Sequence, residues 1–139
     1  MKKQNIFADV APQRRRLMAN VKSNDTKPEM FVRRMLHARG YRYRLHLRGL
    51  PGTPDLVFPA KKKVVFVHGC FWHRHPGCAR STVPKTRTDY WHSKFEANIE
   101  RDARKSRELE ALGWNSLVVW ECEIREPASL LERIEDFLS

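Results

Sequence analysis

The sequence predicts an α/β domain in which a mixed β-sheet is covered by helices. Two short apolar runs, 64–67 (VVFV) and 117–120 (LVVW), read as buried strands. Between them, residues 89–112 place Trp91, Phe95, Ile99, Leu109 and Leu112 along one helical stripe, and Gly113 closes the helix. A strand, a long helix and a second strand in that order are the material of a sheet with a helix laid across it.

The other elements fit around this unit. Thr26-Lys27-Pro28-Glu29 has the form of a helix start: a capping threonine, a proline in the first turn and a glutamate at the capping-box position. Phe31, Met35 and Ala38 then recur at helical spacing up to Gly40. Residues 41–47 alternate, with Tyr41, Tyr43, Leu45 and Leu47 on one face and Arg42, Arg44 and His46 on the other. That pattern predicts a half-buried strand with a basic outer face. Leu50-Pro51-Gly52-Thr53-Pro54 is a turn, and Asp55 opens the apolar run 56–58. Lys61-Lys62-Lys63 reads as a solvated hairpin tip. Residues 127–138 form a final amphipathic helix through Leu130, Leu131, Ile134 and Phe137. The order is helix, three strands, long helix, strand, helix, without an internal repeat.

At 139 residues the chain has the size of one domain with a real core. Residues 1–24 carry Arg14-Arg15-Arg16 and little periodicity, which predicts a basic arm ahead of a single domain over 25–139. The net charge is +11, and residues 1–50 hold thirteen Lys/Arg against three Asp/Glu. Almost all of the excess therefore sits in the first third, which points to a polyanion and most simply to nucleic acid. No apolar run is long enough to span a membrane, so no membrane partner is expected. The opening MKKQNIFADVAPQRRR lacks the apolar stretch of a secretory leader, and three cysteines cannot all pair with each other. A reducing cytoplasm is the expected setting.

The chemistry concentrates where the 64–67 strand ends, at HGCFWHRHPGC. Cys70, His75 and Cys78 make a C-x4-H-x2-C cluster, and Cys122 waits at the end of the 117–120 strand. If both strands end on one side of a sheet, three thiolates and one imidazole complete a tetrahedral set of the structural zinc type. The plainer alternative is three unrelated thiols. A second group is Asp55, His68, His73, Asp102 and Glu29. Hydrolysis of a phosphodiester needs a hard cation and a base for the attacking water. Carboxylates suit magnesium and a neutral imidazole suits the base. Each residue also has a structural reading: Asp55 as a turn cap, Glu29 as part of its capping box, His68 as a satisfied buried histidine. Asp102 falls on the core-facing stripe of the long helix, where a carboxylate needs a partner, either an arginine or a polar site. Phe71 and Trp72, with Trp91 at the start of the long helix, are candidates to wedge between bases or to form a protein-binding patch. Met18 in the arm is either a helix-packing residue or a DNA contact.

The segments FVHGCFWH, PGTPDLVF, NDTKPE, TRTDYWHSKFEANIERD and GWNSLVVWEC all resemble the very-short-patch-repair (Vsr) family of DNA mismatch endonucleases. The resemblance runs from about residue 16 to about residue 125, with the segments in the family's order along the chain. It implies a fold like that of type II restriction endonucleases with an added structural zinc. It also implies an activity: nicking one strand of duplex DNA 5′ to the thymine of a T:G mismatch. By the same resemblance Asp55 binds magnesium together with the backbone carbonyl of Val67, where some members carry threonine. His73 is the general base, and Glu29, His68 and Asp102 complete the catalytic set. Cys70, His75, Cys78 and Cys122 hold zinc. Phe71, Trp72 and Trp91 intercalate beside the mismatch, Met18 enters from the opposite groove, and Arg14, Arg15 and Arg16 meet the backbone. Mismatch-repair proteins are candidate partners, and a monomer is expected. Two rivals stand beside this reading: a restriction or homing-type nuclease that cuts matched duplex, and a zinc-stabilised DNA-binding module without catalysis.

Overall fold

The computed structural model describes residues 25–139. Arg14, Arg15, Arg16 and Met18, and the arm to which they belong, lie outside the described residues.

Helix α1 (Lys27–Ala38) starts as its sequence requires, with Thr26 in extended conformation and its hydroxyl accepting the Glu29 N–H at 3.3 Å. Its buried face is Glu29, Val32 and Leu36, a different stripe from the expected one. Phe31 and Met35 are only half-buried and Ala38 is exposed. The true stripe was hidden because its first member is a glutamate.

Four strands follow in the spatial order β1 (Arg44–Leu45), β2 (Leu56–Phe58), β3 (Lys63–His68) and β4 (Asn115–Trp120). The first three run antiparallel to their neighbours, and β3 pairs with β4 in parallel. A parallel neighbour needs a crossover, and helix α2 (Thr88–Ala111) lies on that crossover. Helix α3 (Pro127–Leu138) ends the chain and buries Leu130, Ile134 and Leu138. This is the mixed α/β architecture read from the sequence.

The strand expected over 41–47 shrinks to two residues. His46 adopts a left-handed φ of +47°, which breaks the alternation, and Leu45 stays 37% exposed at the sheet edge. The expectation for α2 also changes in part. Trp91, Phe95 and Leu109 are buried, whereas Ile99 and Leu112 are about half exposed, at 50% and 55%. Asn98 takes the buried position instead and donates to the Trp72 carbonyl at 2.9 Å. A buried amide with that partner satisfies the rule that a hidden polar group must be bonded.

The pleat sorts the side chains. Leu56, Phe58, Val65 and Val119 pack with Val32, Leu36, Leu130, Ile134 and Leu138 into the main core. Val57 and Val64 face the other way, toward Leu109 of α2. By the two-residue period of β3, Phe66 and His68 share the face of Val64, so His68 arrives beneath α2. Among the described residues no helix is long and apolar enough to cross a membrane.

Candidate active site and cysteine–histidine cluster

The β2–β3 hairpin and helix α2 enclose a cleft of about 370 Å³. Asp55, Val67, His68, His73, Asp102 and Lys105 are among its lining residues. Asp55 stands immediately before β2, and the antiparallel register brings it beside the end of β3. Its Oδ2 accepts the Val67 N–H at 2.7 Å.

Asp102 resolves the cost of a carboxylate on the inner stripe of α2 by meeting a histidine. His73 Nδ1 lies 2.7 Å from Asp102 Oδ2. With the carboxylate accepting, Nδ1 carries the hydrogen and Nε2 keeps its lone pair, the tautomer a general base requires. His68 stacks flat against His73, with ring centroids 3.8 Å apart and planes 10° from parallel. Burial, with the neighbouring His73 adding to it, holds the His68 pKa down at about 3, against the partial counter-effect of Asp102. His68 is therefore a neutral ring throughout the physiological range.

Behind Asp55 lies a second polar group. Glu29 is 1% exposed, and its Oε2 is 2.7 Å from His46 Nε2 and 3.4 Å from Arg33. Its Oε1 accepts the Asp25 N–H at 2.9 Å. His46 also lies 3.8 Å from Asp55 Oδ1. Burial lifts the Asp55 carboxyl to a pKa of about 7; the Val67 N–H and His46 oppose the rise, and Glu29 adds to it. Two carboxyl groups gathered in a poorly solvated place favour a cation or a proton beside them. A hard divalent cation fits this donor chemistry. Glu29 does not line the cleft itself and reaches Asp55 from the buried side. The sequence reading missed His46, which it placed on a solvated strand face; only its left-handed backbone turns it inward.

The four zinc candidates converge. One donor atom each from Cys70, His75, Cys78 and Cys122 lies within 4.8 Å of all the others. Cys70 Sγ is 3.7 Å and Cys122 Sγ 3.4 Å from His75 Nδ1. A tetrahedral zinc with ordinary bond lengths would set the S···N edge at about 3.6 Å. Without a metal, burial pushes the Cys70 thiol up to about 12 and raises Cys122 as well. The backbone N–H of Arg80 lowers Cys78. The donor set thus fits a thiolate-binding metal.

The aromatic residues beside the cleft form one cluster. Phe71 meets Trp72 edge-on at 5.0 Å and Phe95 at 5.4 Å, and Trp72 lies 6.2 Å from Trp91. Phe71 and Trp72 are half-buried rather than fully exposed, and Trp91 is only 1% exposed. Trp91 is therefore a floor under the other two rings in this structure.

A basic chain with an oriented histidine, clustered carboxylates and adjacent packed rings is built as a DNA endonuclease. The chain belongs to the Vsr family: the family described as DNA mismatch endonuclease Vsr matches residues 8–80. It is 52% identical over 130 residues to the type II nicking enzyme V.XorIIP of Xanthomonas oryzae pv. oryzae, covering 93% of this chain and 95% of that one. It is 39% identical over 126 residues to the DNA mismatch endonuclease Vsr of Escherichia coli, covering 87% and 80%. A type II nicking enzyme of Neisseria meningitidis, V.NmeAIP, is 43% identical over 118 residues, covering 85% and 84%.

Proposed function

We propose that this chain nicks one strand of duplex DNA 5′ to the thymine of a T:G mismatch, as the opening step of very short patch repair. The observation that carries the chemistry is the His73–Asp102 pair facing the same cleft as Asp55. His73 Nε2 takes a proton from the attacking water while Asp102 holds Nδ1–H and the imidazolium that forms. The water oxygen bonds to phosphorus as the bond to the leaving ribose oxygen breaks, and that oxygen leaves as a hydroxyl by taking a proton from a solvent water. His68 keeps the His73 ring in plane by stacking and, being neutral, adds no charge that would oppose protonation of its neighbour.

Asp55 and the Val67 carbonyl are the proposed magnesium ligands, and magnesium bound there supplies positive charge at a non-bridging phosphate oxygen. Glu29 and His46 fix Asp55 from behind. Cys70, His75, Cys78 and Cys122 hold zinc, which ties the loop after β3 to the end of β4 and takes no part in hydrolysis. Phe71 and Trp72 stack into the helix at the mismatch, where the base stack is already loosened. Trp91 supports them as a rigid floor. Arg14, Arg15 and Arg16, in an arm spanning residues 1–24, neutralise phosphates, and Met18 enters from the other groove. The domain over 25–139 is proposed to share the restriction-endonuclease fold and to act as a monomer.

The testing experiment is a nicking assay with magnesium on T:G, A:T and G:C duplexes of otherwise identical sequence. Nicking of the T:G duplex far faster than of either matched duplex supports the reading. Equal cutting of all three would favour a nuclease for matched DNA, and binding without cutting would favour a non-catalytic module.

A further inference from the structure

We infer that Arg74 is the residue that fixes the mismatch wedge, holding Phe71 at a set height and angle so that it can discriminate between loosened and paired bases. The inference rests on the proposed role of Phe71 and Trp72 and assigns the positioning of that pair.

Arg74 lies three residues after Phe71, and its backbone adopts a left-handed φ of +55°. A side chain larger than glycine or asparagine rarely stays there unless its surroundings hold it. Here they do. Nη1 donates to the Phe71 carbonyl at 3.2 Å and to the Thr82 carbonyl at 2.9 Å, and Nη2 donates to the Ser81 carbonyl at 2.8 Å. The guanidinium also lies 3.8 Å from the centre of the Phe95 ring and 5.6 Å from that of Phe71. One planar group thus joins the turn bearing the wedge, the 81–82 loop and helix α2.

The 81–82 loop is itself anchored, because the Ser81 hydroxyl lies within hydrogen-bond reach of the carbonyls of Cys70 and His75, at 2.9 and 3.0 Å. A chain with 27 Lys/Arg has no shortage of cations for phosphate. This one is spent instead on three carbonyls and lies over two rings. A lysine could not replace it, since an ammonium lacks the planar fork that meets several acceptors at once and stacks on a ring. A stacking wedge that moved freely would lose orientation on entering the helix and would enter loosened and paired steps more equally.

The test compares the ratio of T:G to matched-duplex nicking in the parent, Arg74→Asn, Arg74→Lys, Phe71→Ala and the Arg74→Asn/Phe71→Ala double variant, with zinc per chain measured in each. Asparagine tolerates the left-handed backbone, so the loop need not refold. We expect Arg74→Asn to lower the ratio about fivefold to tenfold, with matched-duplex nicking and zinc content unchanged. Arg74→Lys should fail to restore it. Once Phe71 is removed, Arg74→Asn should lower the ratio no further, because there is no ring left to position. An unchanged ratio in Arg74→Asn, or a full additional loss in the double variant, overturns the inference. Loss of zinc from Arg74→Asn also overturns it and makes the residue a staple of the cysteine–histidine loop. If Phe71→Ala alone leaves the ratio at the parent value, the wedge reading itself fails, and that arm separates the two failures.

Discussion

His68, the last residue of β3, and His73, in the turn beyond it, lie face to face on the lining of the cleft, with 3.8 Å between ring centroids, yet they differ in environment. His68 is buried and edge-on to Trp120 at 5.4 Å, whereas His73 reaches the rim and Asp102. One imidazole is thereby kept neutral as a support for the other.

This arrangement sets a pH dependence of stability. The His68 pKa is about 3 when folded and about 6.5 when unfolded. Below pH 6.5 the unfolded chain takes up a proton that the native chain refuses. The stability is therefore whole above about pH 6.5 and is lost progressively as pH falls toward 3, by roughly 2 kcal/mol at pH 5. Urea unfolding at pH 5 and pH 7 should therefore be compared between parent and His68→Phe: on going from pH 7 to pH 5 the parent should fare worse than the variant by that amount, contributions from other groups being common to both. The same change in both proteins would place the pH dependence elsewhere.

Asp55 behaves in the opposite direction. Its carboxyl pKa is about 7 in the fold against an ordinary value near 3.8, so the unfolded chain releases its proton first as pH rises. Stability falls between about pH 4 and pH 7 and stays low above that. Asp55→Asn should therefore raise the stability of magnesium-free protein at pH 8, by an amount on the order of a few kcal/mol. The same variant should lose nicking yet keep its binding preference for T:G duplex, because the carboxylate acts on the phosphate rather than on the bases. A variant that is less stable at pH 8, or that still nicks, contradicts this role.

Asp102→Asn tests the orientation of the base. An amide can present its nitrogen to His73 Nδ1, which favours the tautomer with the hydrogen on Nε2 and removes the acceptor from the cleft. A fall in nicking rate of about 10²–10⁴ is expected, with DNA affinity retained. A fall of less than about threefold would show that Asp102 is only a structural partner.

The cysteine–histidine cluster predicts one zinc per chain by metal analysis. Cys122→Ser should remove it and destabilise the whole domain by several kcal/mol, because Cys122 ties the end of β4 to the loop after β3. Zinc-free protein of parental stability would refute the assignment.

Much of the site was legible in the sequence because its residues sit at the ends of strongly patterned strands. The run 64–67 and its stop at Gly69 place His68, Cys70 and His73 at one sheet end, and the run 117–120 places Cys122 beside them. Asp102 stood out as a carboxylate on an inner stripe, and its partner is His73. Less of the rest could be read. His46 looked like an outward residue of an alternating strand, and no pattern of apolar residues announces a positive φ. Glu29 looked like a capping residue and is in fact both cap and buried anchor. Asn98 replaced Ile99 on the inner face of α2 because a hydrogen bond to the Trp72 carbonyl offsets the cost of burying an amide. Trp91 stood both on the apolar stripe of the long helix and among the candidate wedge rings; it is buried, packed against Phe71 and Trp72, a contact that only the folded loop creates.

The central claim, a mismatch-directed single-strand nick, is tested most directly by mapping the break on end-labelled duplex. Each strand is labelled in turn, with magnesium, on T:G and matched substrates of the same sequence. The account predicts one break, in the thymine strand only, immediately 5′ to the mispaired thymine, and an intact partner strand. It also predicts that Phe71→Ala combined with Trp72→Ala erodes the preference for the T:G duplex, at ~1–3 kcal/mol for each ring withdrawn from the base stack. Breaks in both strands, or equal cleavage of the matched duplex by the parent enzyme, would contradict it.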